Sequence, residues 1–390
     1  MSILVLNCGS SSVKFKVFRG DRIILEGMAD AIGLPNSSLK IGAQTISPVL
    51  THEDAIQKII DRVHTQGKLK AIGHRVVHGG EFYEDATIIT PNVIRRISEL
   101  CDLAPLHNPA NLAGIQACMK MLPHIPQVAV FDTAFHQTIP EHAYLYAIPY
   151  DYYKRQHIRK YGFHGINHQY IALKVREILK KPCNIVSCHL GNGASITSIR
   201  NGKSVDTSMG FTPLEGLMMG TRSGDVDPGI IGYLSVQLRK TSAEIVNILN
   251  KESGLKGISG YSDMRIVHAK AVKGDRKCLR ALDLYSYILA KHIGAYFSIL
   301  PSVHALVFTA GIGEKAFYVR ERACRELGVL GIKIDAAKNR KNAMEITGKG
   351  SKVRVFVIPA NEEWMIAKET GKILKSESNF FLSYPIRKST

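Results

Sequence analysis

No C-x-x-C pair occurs in the 390 residues, and the seven cysteines (Cys8, Cys101, Cys118, Cys183, Cys188, Cys278 and Cys324) are odd in number. Neither a disulfide framework nor a zinc site is suggested, and a reducing, cytoplasmic setting fits best. No window approaches 18 uninterrupted apolar residues, so no membrane span is expected. Met1 is followed by neither a basic region nor an A-x-A site, which argues against a secretory leader. Acidic residues are few: 33 Asp and Glu stand against 51 Lys and Arg, for a net charge of +18. The excess is local. Residues 1–136 carry 13 basic and 12 acidic residues, whereas residues 137–390 carry 38 and 21. Such a charge raises nucleic acid, membrane surfaces or anionic small molecules as partners. No module interleaving bases with aromatics accompanies it, so no nucleic-acid partner is expected. The basic stretch Lys333–Lys352 reads as solvated surface. What is present, 45% hydrophobic and 22% charged residues, is globular composition with length for two domains.

Apolar runs alternate with helical periodicity. Ser2–Asn7 reads as a buried strand, Cys8–Ser12 as a small-residue turn and Val13–Phe18 as an alternating strand, which together make a hairpin. Asn184–His189, Leu190–Ala194 and Ser195–Ile199 repeat that grammar about 180 residues later, a weak internal duplication. Thr51 with Asp54 has capping-box spacing before Ile56, Ile59, Ile60 and Val63. Asn108-Pro109 is expected to cap and open another helix. Leu279–Leu300 reads as a long helix, Ala305–Thr309 as a strand with a helix from about Glu314, Val353–Ile358 as a late strand and Glu362–Leu374 as a final helix. This alternation predicts an α/β chain.

Four Gly-rich turns follow apolar strands: Asn7–Ser12, Gly79-Gly80, Gly191–Gly193 and Gly311–Gly313. Glycine lets backbone N–H groups approach an anion, and several such turns in one chain favour phosphate binding over plain turn formation. A P-loop is absent, because Thr197 stands where the first glycine before Gly202-Lys203-Ser204 belongs. Gly311–Ala316 matches the G-x-G-x-x-A dinucleotide fingerprint, which keeps a nicotinamide-dependent dehydrogenase as an alternative. Arg75 lies in an apolar run, and Arg222 lies between Gly220 and Gly224. Each is either a structural ion pair or a fork for carboxylate and phosphate oxygens. Asp132 ends a strand, as a ligand-facing acid or a helix cap. His164 is flanked by Gly162 and Gly165, and no H-E-x-x-H motif supports zinc. Glu362 and Glu363 open a helix, where they favour its dipole or hold a hard cation.

Taken in order, these segments resemble the acetate kinase family. The resemblance rests on Asn7–Ser12 with Lys14, His74–Gly80, Ala104–Pro109, Phe131–His136, Phe163–Gly165, His189–Ser195, the 23-residue block Asp206–Pro228, Ser262–Arg265, Phe308–Glu314 and Asn361–Glu363. It implies two duplicated ribonuclease-H-like domains of the actin/sugar-kinase type around a nucleotide cleft. Residues 1–136 with 364–390 would form one domain and 137–363 the other. It also implies reversible transfer of the ATP γ-phosphoryl to acetate, with propionate or another short-chain acid as the alternative substrate. Arg75, Arg222, His164 and Asp132 would then be catalytic, with Arg75 also holding the carboxylate. Val77, Leu106, Pro213 and Phe163 would line the acyl pocket. Lys14, His189, Leu190, Gly191, Asn192, Gly193, Asp263, Met264, Arg265, Gly311, Ile312, Gly313, Glu314 and Lys315 would bind ATP. Asn7 and Glu362 would hold Mg²⁺ or Mn²⁺, and the family is typically a homodimer. Three departures stand out. Ile166 and Asn167 replace Thr and Ser of the usual F-H-G-T-S-H, with Asn167 expected to cap the next helix. Ala360 replaces a Thr near the metal. The loop before Asp263 is about one residue shorter.

Overall fold

The computed structural model describes residues 2–105 and 107–383. The chain divides into two compact units, residues up to Phe135 with those from Asn361 onward, and His136–Ala360.

The first unit is built on strands β1 (Ser2–Cys8), β2 (Val13–Arg19), β3 (Arg22–Asp30), β4 (Ser38–Ile41), β5 (Gln44–Ile46), β6 (Leu69–Val76), β7 (Thr87–Ile88) and β8 (Gln127–Phe131). They lie in the order β5-β4-β3-β2-β1-β6-β8-β7. The alternation of β2 holds from Val13 to Val17, with Val13, Phe15 and Val17 buried and Lys14 outward, and ends at Phe18, which is buried as well. Leu4, Leu6, Phe15, Ile56, Ile59 and Cys118 share one core, which seats the helices His52–His64 and Asn108–Met121 on the sheet. The last helix, Glu362–Ser383, packs against β1, β6 and β8 of the same unit.

The second unit is built on β9 (Asn184–Leu190), β10 (Ala194–Arg200), β11 (Lys203–Thr207), β12 (Ala305–Thr309) and β13 (Arg354–Val357), in the order β11-β10-β9-β12-β13. The central strands of the first unit, β3-β2-β1-β6-β8, have the same order and directions: three antiparallel strands, then two parallel ones. The duplicated hairpin in the sequence is therefore the visible part of a repeated five-stranded sheet. It also argues against the dehydrogenase alternative, whose dinucleotide sheet is built from parallel βαβ units.

Four local readings are corrected. Thr51 accepts the Asp54 N–H, but the Asp54 carboxylate takes the Leu50 N–H and Lys58 instead of closing a capping box. Asn108 opens its helix without capping it, because its amide is engaged by both backbone groups of His78. The helix after β12 starts at Ala310, not near Glu314, so Gly311 and Gly313 are helical. Asn167 lies inside the helix Gly165–Leu179, whose N-cap position is His164.

Candidate active site

In the first unit, β1, β6 and β8 run parallel as neighbours, and their C-terminal ends bring polar side chains together. Asn7 comes from β1, Arg75 from β6, and Asp132 directly follows β8. The Arg75 guanidinium donates from Nη2 to Asp132 Oδ2 at 2.8 Å and from Nη1 to Asn7 Oδ1 at 3.4 Å. The Asp132 side chain is 1% exposed and that of Arg75 18%. Burial opposes the Arg75 charge, yet Asp132 and Glu362 outweigh it and raise its pKa. Glu362 stands in the first turn of the last helix, which Asn361 Oδ1 caps through the Trp364 N–H. Burial pushes the Glu362 carboxyl up to about 7, with Asp132 and Glu363 adding and Arg75 and Lys14 opposing. Lys14 forms an ion pair with Glu363.

Asparagine amides hold the end of β6. Asn111 accepts the Val77 N–H at 3.0 Å and donates to the Cys8 carbonyl at 2.6 Å, tying β6 to β1. Asn108 accepts the His78 N–H at 3.1 Å, and Thr133 accepts the Gly79 N–H at 3.0 Å. Val77 is 5% exposed behind this clasp. Asn108 was expected only as a helix cap, and Asn111 and Thr133 were not singled out; the signal was a pair of Asn residues three apart in a first helical turn. Leu106 lies outside the described residues.

The oxygen donors Asn7 and Glu362 suit a hard divalent cation. Magnesium takes one or two protein ligands and completes its shell with water and phosphate oxygens. A buried carboxyl with acidic neighbours is the kind of group such a cation would relieve.

In the second unit, His164 has φ +56 and its Nδ1 meets Ser195 Oγ at 2.9 Å. Its ring stacks on His189 at 4.0 Å between centroids and 12° between planes. His189 and Leu190 end β9 and lead into the Gly191–Gly193 turn. A Cβ at Gly193 would lie 3.4 Å from Arg222 Nη1 and 3.5 Å from His164 Nε2, so this turn runs beside both groups. A Cβ at Gly220 would meet Asn192 Oδ1 at 2.0 Å, which explains glycine where the Arg222 loop crosses the turn. Arg222 donates from Nη1 to the Pro213 carbonyl at 3.3 Å and makes no salt bridge among the described residues. Burial lowers its pKa. A half-desolvated guanidinium held by a carbonyl is primed for an anion. Phe163 is buried, and its carbonyl accepts from His136 Nε2 at 3.0 Å.

A cavity of about 700 Å³ opens in this unit. It gathers Gly191, Asn192, Asp263, Met264, Arg265, Gly311, Ile312 and Lys315 from the expected nucleotide set. Gly313 and Glu314 do not line it; Glu314 Oε1 instead accepts the Ala360 N–H. His189, Leu190 and Gly193 do not line it either, and Lys14 belongs to the first unit. Two lining residues were missed by the sequence reading, His268 and Tyr318, whose rings stack at 3.4 Å and 6°. Asp263 caps the helix Met264–Val272 and pairs with Arg265.

Among known proteins, the Acetokinase family model matches residues 2–368. The chain is 47% identical to an acetate kinase from Carboxydothermus hydrogenoformans, over 96% of this chain and 99% of that protein. Of solved structures, a propionate kinase from Francisella tularensis is 43% identical with a TM-score of 0.91, covering 95% of this chain and 99% of its own. Acetate kinase from Porphyromonas gingivalis is 42% identical with a TM-score of 0.90, over 96% and 99%. These matches run almost end to end through the strands and loops that carry the residues described above, and the chain belongs to the acetokinase family.

Proposed function

We propose that this protein transfers the γ-phosphoryl group of ATP to acetate, reversibly, giving acetyl phosphate and ADP by direct in-line displacement. The observation that carries the reading is Arg222. It is a half-buried cation, without a carboxylate partner among the described residues, beside the Gly191–Gly193 turn and His164. A carboxylate nucleophile is already ionised at neutral pH, so the reaction needs no strong base. It needs two anions held together and the charge of the transferring group neutralised.

In the first unit, Arg75 binds the acetate carboxylate and Asp132 fixes the orientation of that guanidinium. Val77 contributes to the apolar surface around the methyl group, with Leu106 assigned alongside it. Asn7 and Glu362 hold Mg²⁺, which when bound supplies charge neutralisation at the phosphate oxygens. In the second unit, Arg222 and His164 donate to the equatorial oxygens of the transferring group, and Pro213 and Phe163 give the second apolar surface. His189–Gly193 with Gly311, Ile312 and Lys315 take the phosphates, and Asp263–Arg265 take the adenosine. The two units correspond to two domains, with the last helix completing the first.

Two further readings accompany this one. The helix Gly229–Leu238 buries none of its residues within its unit, although Ile230, Tyr233, Val236 and Leu238 are apolar, so a second copy of the chain is its expected cover. The seven cysteines are all free, which suits the cytoplasm. Propionate is the second substrate reading, favoured by likeness to a propionate kinase.

The test is trapping of acyl phosphate as hydroxamate with ATP and Mg²⁺, comparing acetate, propionate and butyrate, and ATP with GTP. Acetate is expected to give the highest kcat/KM. No product with any of these acids, from folded protein, would overturn the proposal.

A further inference from the structure

Asn167 is fully buried in the first turn of the helix Gly165–Leu179. Its Nδ2 lies 2.9 Å from Nδ1 of His189, and its Oδ1 has no hydrogen-bond partner among the described residues. A buried amide with one unsatisfied end is held by its other end. Turning the amide over would bring Oδ1 to His189 and strand Nδ2 instead. Either way the hydrogen bond of this side chain among the described residues is to His189.

A neutral imidazole donates from one nitrogen and accepts at the other. With Nδ1 accepting from the Asn167 amide, the proton resides on Nε2. That atom faces the glycine turn, since a Cβ at Gly191 would lie 3.8 Å from it. Phosphate oxygens only accept. An Nε2–H attracts them, and a bare Nε2 lone pair repels them. Tautomer choice at His189 therefore decides the sign of its contact with a nucleotide phosphate.

The same helical turn supports the neighbouring ring. His168, one residue on, bridges Ser187 Oγ at 3.0 Å and Ser195 Oγ at 2.8 Å. Ser195 Oγ also meets His164 Nδ1. His164 stacks on His189, so the two rings are held in register by Asn167 on one side and by Ser195 on the other.

We propose that Asn167 is a positioning residue for nucleotide binding: its amide holds His189 as the Nε2–H tautomer, with that N–H turned toward the Gly191–Gly193 phosphate turn. The inference rests on reading this turn as a phosphate site. It concerns a position where the sequence departs from the family pattern, Asn in place of Ser.

The test uses ¹⁵N-histidine-labelled full-length protein, with the His189 signals assigned through His189→Gln. In the wild type, Nε2 is expected to carry the proton and Nδ1 the lone pair, and ATP should shift the Nε2–H resonance. Asn167→Leu keeps the size and removes the donor. It should mix the tautomers and raise KM for ATP roughly 3- to 10-fold, the loss of one hydrogen bond's worth of bias, with a smaller change in kcat. Asn167→Asp offers only an acceptor and should draw a proton onto Nδ1. Asn167→Ser, with a hydroxyl donor, should restore part of the wild-type KM and covers the case in which the leucine variant does not fold. A wild-type spectrum with the proton on Nδ1, or an Asn167→Leu protein with unchanged tautomer and KM, would overturn the proposal. If no acid is phosphorylated, the kinase reading fails alone. The tautomer and ATP titration, measured without any acid, still decide the role of Asn167.

Discussion

Arg75 donates to Asp132 at 2.8 Å, and that carboxylate is the more deeply buried of the two, at 1% side-chain exposure. The pair is therefore a fixed mount for the guanidinium rather than a surface ion pair. Asp132→Ala leaves a desolvated cation, and we expect about 3–5 kcal/mol lower stability in denaturant unfolding. Asp132→Asn keeps the shape and should cost less stability while raising KM for acetate. An acetate KM unchanged in both variants would remove Asp132 from substrate orientation.

Arg222 has the opposite character. It makes no salt bridge among the described residues and donates to one carbonyl. Arg222→Ala should cost about 1 kcal/mol or less of stability. It should remove about 2.7–4 kcal/mol of transition-state stabilisation, a 100- to 1,000-fold drop in kcat. Steady-state kinetics beside thermal unfolding separates the two effects. A large fall in stability with an intact kcat would reverse the assignment.

The pH dependence of stability should report on Glu362. Burial holds its native pKa near 7, above the ordinary value of 4.5. The folded state then binds a proton that the unfolded chain has released. The resulting stabilisation is complete below about 4.5 and disappears as pH rises through about 7. Glu362→Gln removes the ionisation altogether. Without divalent metal, the Tm of this variant relative to wild type should increase between about pH 5 and pH 8. A difference that stays flat or narrows over that range would contradict the burial of this carboxyl.

The stacked pair His268 and Tyr318 lines the cavity proposed above for the nucleotide. Tyr318→Ala should raise KM for ATP roughly 2- to 10-fold, the range of one aromatic contact, and leave KM for acetate within twofold. Equal effects on both KM values would place the pair outside the nucleotide site.

Tyr233 and Val236 are 66% and 74% exposed on a helix that buries nothing in its own unit. Val236→Asp with Tyr233→Glu should convert a dimer to a monomer in light scattering, with unfolding of each unit little changed. A wild-type protein already monomeric at micromolar concentration would refute the shared-interface reading.

Strand positions were legible because periodicity is local: β1, β2, β9 and β10 fall within a residue or two of their expected bounds. The repeated hairpin was visible, but the matching order of five strands was not, since β6, β8, β12 and β13 are set by pairings distant in sequence. The cap expected at Asn108 failed for a related reason. A capping amide competes with any backbone that tertiary folding brings near, and the His78 peptide won. Individual candidate residues stood out in the sequence as Gly-flanked charges, such as Arg222. Asn111, Thr133, His268 and Tyr318 act only through neighbours that no spacing rule supplies.

The last helix lies against β1, β6 and β8, three strands that are synthesised by residue 131 of 390. At roughly 5–20 residues per second, β8 waits about 12–50 seconds for its cover and β1 about 18–75 seconds. The first unit to be translated is thus the last to be completed, while His136–Ala360 is finished in a single uninterrupted stretch. A nascent chain stalled before Asn361 should expose an uncovered sheet face to chaperones, and release of the final residues closes it.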